Sequence, residues 1–220
     1  MPTSRTRGQR AGLTRQDVLA AALRLVDREG LAVLSMRRLG AELGVEAMTL
    51  YHYVANKEAL LDGVVEQLLA EAGPPQTGGD SWQDALRTYA HALRETLLAH
   101  PNAVPLIVSR PAVTSRNLAV MEGVLEVLRA SGFSLEVGLD VLFSLAGFVV
   151  GDVVTAAGGG QAEATEQVRQ LSDVDPAEFP LLAEAASRAG SRAGARSRFD
   201  FALEAMLVGF ERARTAEITR

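Results

Sequence analysis

Residues 35–53 read SMRRLGAELGVEAMTLYHY. The apolar spacing predicts a short helix over 36–43, a tight turn at Gly44 and a second short helix beyond it. Leu39, Leu43, Val45 and Leu50 fall where they meet in a shared core, and Gly40 and Ala41 are small enough to let the two helices cross closely. Glycine at 44 suits the left-handed residue that ends the first helix. This is the layout of a helix-turn-helix, whose second helix enters a major groove. Spacing alone also fits a generic helix pair.

The side chains around the turn favour the DNA reading. Thr49 and Tyr51 can donate to phosphates, and Tyr53 and Lys57 lie just beyond. Lys57 is the one lysine among 22 basic residues. A compact ammonium in an otherwise all-arginine chain suits a point contact to a phosphate, the alternative being a plain surface residue. Asn56 is placed to cap the helix that starts at Lys57, and a helix N-terminus itself attracts phosphate. Met48 and the Thr49 methyl suit a thymine methyl, and Arg37 suits a guanine edge, although a solvated helix residue reads the same way. His52 fits packing or a phosphate better than base readout.

Charge divides along the chain in the same sense. Residues 1–57 hold nine Arg/Lys and five Asp/Glu, while 58–220 hold thirteen Arg and twenty-two Asp/Glu. A basic head on an acidic body points to a polyanion at the head, despite the net charge of -5. With no cysteine, disulfide frameworks, cysteine–zinc sites and thiol nucleophiles are excluded. No apolar run follows the N-terminal arginines, and the longest uncharged apolar run, Val141 to Gly151, is short of a membrane span. A cytoplasmic protein with no membrane contact is expected.

The remaining pattern is helical throughout. Thr14, Ser81 and Ser197 each precede an acid by three residues, Asp17, Asp84 and Asp200, in a capping-box arrangement. Asp175 before Pro176 suits an N-cap, and Gly30, Gly44, Gly73 and Gly132 sit at helix ends. Helices are expected near 15–29, 35–43, 46–53, 57–72, 82–99, 103–109, 114–130, 135–157, 176–189 and 198–215. Residues 1–13 read as a flexible basic arm, whose Arg5, Arg7 and Arg10 suit a minor groove. Residues 73–80 (GPPQTGGD) form a Pro/Gly linker, and 158–175 and 190–196 read as loops. The expected division is an arm over 1–13, a three-helix DNA-binding domain over 14–60, a connecting helix and linker over 61–80, and a helical domain over 81–220. The fold class is therefore all-α.

In the body, the helix near 135–157 is apolar round most of its circumference and must be covered on nearly all sides. Gly147 and Gly151 leave a smooth strip for another helix, and the last helix offers Phe201, Met206 and Phe210. These fit a dimer interface built as a four-helix bundle, or an ordinary monomer core. A small-molecule pocket is expected between helices 82–99, 103–130 and 135–157. Its candidate lining is Leu86, Tyr89, Leu93, Leu106, Met121, Leu125, Phe143 and Phe148, with Ser109 and His100 as further polar groups. Enzyme readings are weak. The three histidines, His52, His91 and His100, form no Glu-x-x-His pair, and no phosphate-cradling Gly-Lys-Ser/Thr is present. No metal site and no cofactor is expected.

Residues 14–62 resemble the DNA-binding domain of the TetR family of transcriptional repressors, most specifically in GVEAMTLYHYVANKEALLD. Ser81-Trp82-Gln83-Asp84, Arg110-Pro111, Gly132 to Glu136 and Phe199-x-Phe201 resemble the C-terminal domain of the tetracycline repressors. The resemblance implies a homodimer that binds a palindromic operator in double-stranded DNA and is released by a small molecule. It places the recognition helix at 46–52, with Arg37, Ala47, Met48 and Thr49 facing bases and Tyr51, Tyr53 and Lys57 facing phosphates. Ala47 and Met48 stand where the tetracycline repressors carry glutamine and proline, so a different operator is implied. Leu106 stands where they carry a metal-ligating histidine, and Tyr89 where they carry a drug-contacting asparagine. His100 matches a different histidine of their pattern. Leucine cannot ligate a hard cation, so an apolar, metal-free effector is implied. A DNA-binding dimer without an effector, an activator on the same fold, and a helical binding protein or enzyme with a degenerate head remain the alternatives.

Overall fold

The computed structural model describes residues 12–74, 81–110, 113–156, 170, 174–190 and 198–218, and among these it is helical with no strand. Residues 1–11 of the basic arm, 75–80 of the Pro/Gly linker, most of 158–175 and residues 191–197, including the Ser197 cap, lie outside the described residues. The helices are α1 (Arg15–Glu29), α2 (Met36–Leu43), α3 (Ala47–Leu50), α4 (Lys57–Ala72), α5 (Trp82–Ala99), α6 (Val104–Ser109), α7 (Ser115–Ala130), α8 (Leu135–Thr155), α9 (Pro180–Gly190) and α10 (Arg198–Ile218).

The start signals act as expected where they are described. Thr14 accepts from the Asp17 backbone while Asp17 accepts from the Thr14 backbone, closing a capping box on α1. Ser81 Oγ accepts from the Asp84 backbone at 3.1 Å and donates to the Asp84 carboxylate at 2.6 Å. Asp175 differs. Its carboxylate accepts from the Ala177 backbone at 2.8 Å, but residues 176–178 form a turn and α9 begins only at Pro180. The Asx cap is satisfied by one turn and needs no helix behind it.

The packing falls into two compact units, one of residues 1–75 and 91–124, the other of 76–90 and 125–220. The expected division sets the helical domain off at residue 81, after the Pro/Gly linker. In the structure the second half of α5, all of α6 and the start of α7 group with the head.

In the first unit α1 lies on α4 and α2, and α2 on α3. Val18, Ala22, Leu25 and Val26 of α1 are fully buried, as are Leu60, Val64 and Leu68 of α4. Burial stabilises by about 1.5–3 kcal/mol for each valine or leucine among them, and by less for Ala22. Gly63 lets α4 sit against the Leu19 side chain. Arg15 joins the start of α1 to Glu66 on α4 at 3.2 Å.

In the second unit α8 packs on α10. Phe148 stacks on Phe199 with ring centroids 5.1 Å apart. Trp82 meets Phe133 edge-on at 4.9 Å, and Arg214 donates to the Ser131 carbonyl at 3.3 Å near the end of α7. Arg87 grips Glu204 through Nε at 2.6 Å and Nη2 at 3.1 Å. By length and composition α8 is apolar enough to cross a membrane, with a mean hydropathy of 1.9, which the shorter uncharged run did not suggest. Its amphipathy is of another kind. Val141, Leu142, Leu145, Val149 and Val153 are buried, while Leu139, Phe143, Gly147, Gly151 and Val154 form an exposed, largely apolar strip.

Candidate nucleic-acid interface

The helix-turn-helix is built by three local devices. Ser35 caps α2 by accepting from the Arg38 backbone. Gly44 ends α2 in the left-handed region at φ 67°, ψ 29°, which residues with a Cβ adopt at a cost. Gly40 supplies the close approach. A Cβ there would stand 2.9 Å from the Val45 carbonyl oxygen and 3.2 Å from the Ala47 nitrogen, and the Gly40 carbonyl accepts from the Val45 backbone at 2.9 Å.

Leu39 and Leu50 are fully buried, so they fix the roll of α2 and α3. Leu43 and Val45, expected beside them in the core, are half-buried. They flank the turn, where fewer neighbours reach. The opposite face presents the candidates. Met48 is 71% exposed and Tyr51 43%; Arg37, His52 and Lys57 are exposed, and Ala47, Thr49 and Tyr53 are half-buried. The helix proper covers only Ala47–Leu50, and residues 51–53 continue it as a turn.

Two adjacent arginines separate in role. Arg38 is held by Glu29 and Glu42, the latter at 3.2 Å, and Arg28 reaches the same Glu42 at 2.9 Å. Arg37 makes no ion pair among the described residues and stands exposed. Lys57 is likewise without an ion pair among the described residues, at the first position of α4, which Asn56 caps from 2.8 Å. Two exposed cations, together with the exposed Met48 and Tyr51, give this segment groups suited to phosphates and base edges.

Behind this face, two clusters tie α1 and α4 to the rest of the first unit. His100 places Nδ1 2.8 Å from Asp27 and Nε2 3.1 Å from Glu71, and Asn102 donates to the Asp27 carbonyl at 2.9 Å. Both His100 ring nitrogens are thus engaged by carboxylates of α1 and α4, in the first unit. Arg110, just after α6, contacts the Asp62 carboxylate at 2.5 Å, the Glu58 carboxylate and, at 3.4 Å, the Glu58 carbonyl. Those partners raise the guanidinium's affinity for its proton. Such pairs are separated by about 50 residues, so no local sequence pattern announces them.

The other pocket candidates divide between the units. Leu93, Leu106 and Met121 belong to the first; Leu86, Tyr89, Leu125 and Phe148 belong to the second. Leu86, Leu93 and Leu106 are buried, and Tyr89, Met121, Leu125 and Phe148 are half-buried. Burial pushes the Tyr89 hydroxyl pKa up. Two candidates face elsewhere. Ser109 is exposed and spends its hydroxyl on the Pro105 carbonyl at 2.8 Å, in its own helix. Phe143 is 60% exposed on the Gly147 strip of α8, because four-residue spacing puts 139, 143, 147 and 151 on one side. Among the interface candidates, Gly147, Gly151 and Phe201 are exposed, and Met206 and Phe210 half-buried. Leu139 and Val208 join that exposed set without having been expected; their spacing from Phe143 and Phe201 carried the signal. Among the described residues, no group of three or more metal-ligating side chains gathers.

Residues 18–64 match the bacterial regulatory proteins of the tetR family, and residues 74–214 match the tetracyclin repressor-like C-terminal domain. The chain belongs to the TetR family. Members are transcriptional regulators that bind DNA through the helix-turn-helix, and they are not enzymes. The chain is 34% identical to the tetracycline repressor protein class E of Escherichia coli over 204 residues, covering 91% of this chain and 92% of that protein. Among solved structures it resembles apo ActR from Streptomyces coelicolor, with a TM-score of 0.81 at 27% identity, covering 94% of this chain and 99% of the other. ActR in complex with actinorhodin matches with a TM-score of 0.77 at 28% identity, covering 93% and 99%. The TetR-family chain described here thus has repressor and ligand-binding relatives along nearly its whole length.

Proposed function

We propose that the chain is a cytoplasmic homodimeric repressor that holds a palindromic operator and leaves it when an apolar, metal-free small molecule binds the body. The observation that carries the DNA half is the helix-turn-helix with Leu39 and Leu50 buried while Met48, Arg37 and Lys57 are exposed. Arg37, Ala47, Met48 and Thr49 read bases. Tyr51, His52, Tyr53 and Lys57 hold phosphates. ActR's capture of actinorhodin supports a ligand-responsive body, and Leu106 at the position of a metal-ligating histidine supports an organic ligand bound without a metal.

The dimer forms through the exposed strips of α8 and α10. Phe201 is 70% exposed and shares its strip with Ala205 and Val208, opposite the buried Phe199, Leu203 and Leu207. Two apolar helices per subunit, each buried on one side and bare on the other, suit a four-helix contact across a two-fold axis. Ligand acts through α6, which packs on α4. The grip of Arg110 on Glu58 and Asp62 passes a shift of α6 to the N-terminal turn of α4, beside Lys57. Coupling is reciprocal, so operator must weaken effector binding by the factor by which effector weakens operator binding.

Selection of sites from random duplex DNA, at fixed salt, tests the reading. Enrichment of a palindrome with half-sites one helical turn apart, roughly 34–36 Å, is expected. Salt-sensitive binding with no enriched sequence overturns it. On the selected operator, Lys57→Ala is expected to weaken all sequences alike and to lower the salt slope by about 0.9 per lost phosphate contact, roughly 2 for a dimer. Measured log K against log salt checks this; a changed base preference with an unchanged slope contradicts the phosphate role.

A further inference from the structure

Asn117, in the first turn of α7, is the one buried polar side chain among the described residues, at 3% exposure. Neither its Nδ2 nor its Oδ1 has a hydrogen-bond partner. The helix end is capped by Thr114, whose Oγ1 accepts from the Asn117 backbone N–H at 3.4 Å, and the Asn117 side chain makes no bond to it. Helical spacing puts Asn117 on the inward stripe of α7 with the half-buried Met121 and the buried Val124. An apolar residue at such a position would avoid the penalty of an unpaired amide. A carboxamide buried with both its donor and its acceptor unused is the make-up of a binding-site anchor.

We infer that Asn117 is the polar anchor of the effector site. Its carbonyl accepts from the ligand and its NH2 donates to it. The molecule it takes is uncharged and largely apolar, with a hydrogen-bond donor beside an acceptor, as in a lactam or carboxamide. A charged ligand would need a counter-charge, and Arg110, seven residues earlier, is engaged by Glu58 and Asp62. The other unpartnered buried oxygen, Asp27 Oδ1, belongs to the carboxylate that pairs with His100. The assignment rests on the proposed ligand response and adds to it the contacting residue and the chemical class.

The test uses the full chain labelled with 15N and two one-ring probes. In 2-pyridone an N–H adjoins a carbonyl; toluene has neither. The Asn117 side-chain NH2 signals are assigned by their absence from Asn117→Leu. Saturable shifts of that pair with 2-pyridone are expected, with affinity about tenfold lower in Asn117→Leu, while toluene binds both proteins alike. Equal 2-pyridone affinity in the two proteins, or no shift of the Asn117 pair, overturns the assignment. If the leucine variant does not fold, Asn117→Gln, which displaces the amide by one methylene, gives the same comparison. Operator binding is followed on the same samples. Operator binding without an Asn117 response overturns this assignment alone, whereas loss of sequence-specific DNA binding in the wild type falls on the repressor reading.

Discussion

Gly40→Val abolishes operator binding and lowers the melting temperature by on the order of 10 °C. The atoms in the way are main chain. The nearest neighbours of a Cβ at 40 are the Val45 carbonyl oxygen at 2.9 Å and the Ala47 nitrogen at 3.2 Å, so no rotamer change relieves the clash. Either α2 and α3 separate, uncovering Leu39 and Leu50, or the turn at Gly44 opens. Overpacking against a rigid neighbour costs about 3 kcal/mol or more, which is about two decades of binding if the intact head is required. Gly63 provides the comparison. A Cβ there meets the Leu19 side chain, which can move, so Gly63→Ala is expected to cost less and to keep operator binding. Thermal unfolding and fluorescence anisotropy on both variants check the pair; a Gly40→Val protein that binds operator normally contradicts the crossing geometry.

The second large effect is on assembly. Phe201→Glu is expected to convert the protein into a folded monomer of 23.4 kDa. The side chain is mostly exposed in the single chain, so its loss leaves the subunit core untouched. Under a two-fold axis one substitution places two carboxylates in the same apolar contact. Removing a carboxylate from water without a partner costs several kcal/mol, so the dimer constant weakens by on the order of a thousandfold or more. Operator affinity then falls to that of one head on one half-site. Phe143→Glu should act the same way through α8. Sedimentation equilibrium with near-native circular dichroism reports the outcome; a dimer retained by both variants rules out these strips as the interface.

The fold was legible because its signals are local. The Thr14 and Ser81 caps, the glycine at 44 and the spacing of Val18, Ala22, Leu25 and Val26 along α1 lie within a turn or two of the structure they specify. The exposed face of α3 was legible for the same reason, since Leu50 is buried and Met48 and Tyr51 are left outside. What sequence spacing does not carry is the choice between outward and inward apolar faces on a helix that is apolar all round. Phe143 and Phe148 have the same chemistry, yet one joins the glycine strip and the other stacks on Phe199. Long-range pairs are hidden altogether. His100 looks like a spare polar group until Asp27 and Glu71, remote along the chain, arrive on either side of it. Asn117 is the reverse case, an ordinary first-turn asparagine until its burial is seen.

Arg110 clasps α4 at Glu58 and Asp62, and Lys57, the proposed phosphate contact, is the residue just before Glu58 at the start of the helix. Modularity is limited by that adjacency. A head grafted from a relative onto this body would carry its own residues at 58 and 62, and without acids there Arg110 would face α4 with its charge uncompensated. The natural seam for a chimeric repressor therefore lies ahead of α4, between the turn after α3 and Asn56, so that the helix and its clasp are exchanged or retained as one piece.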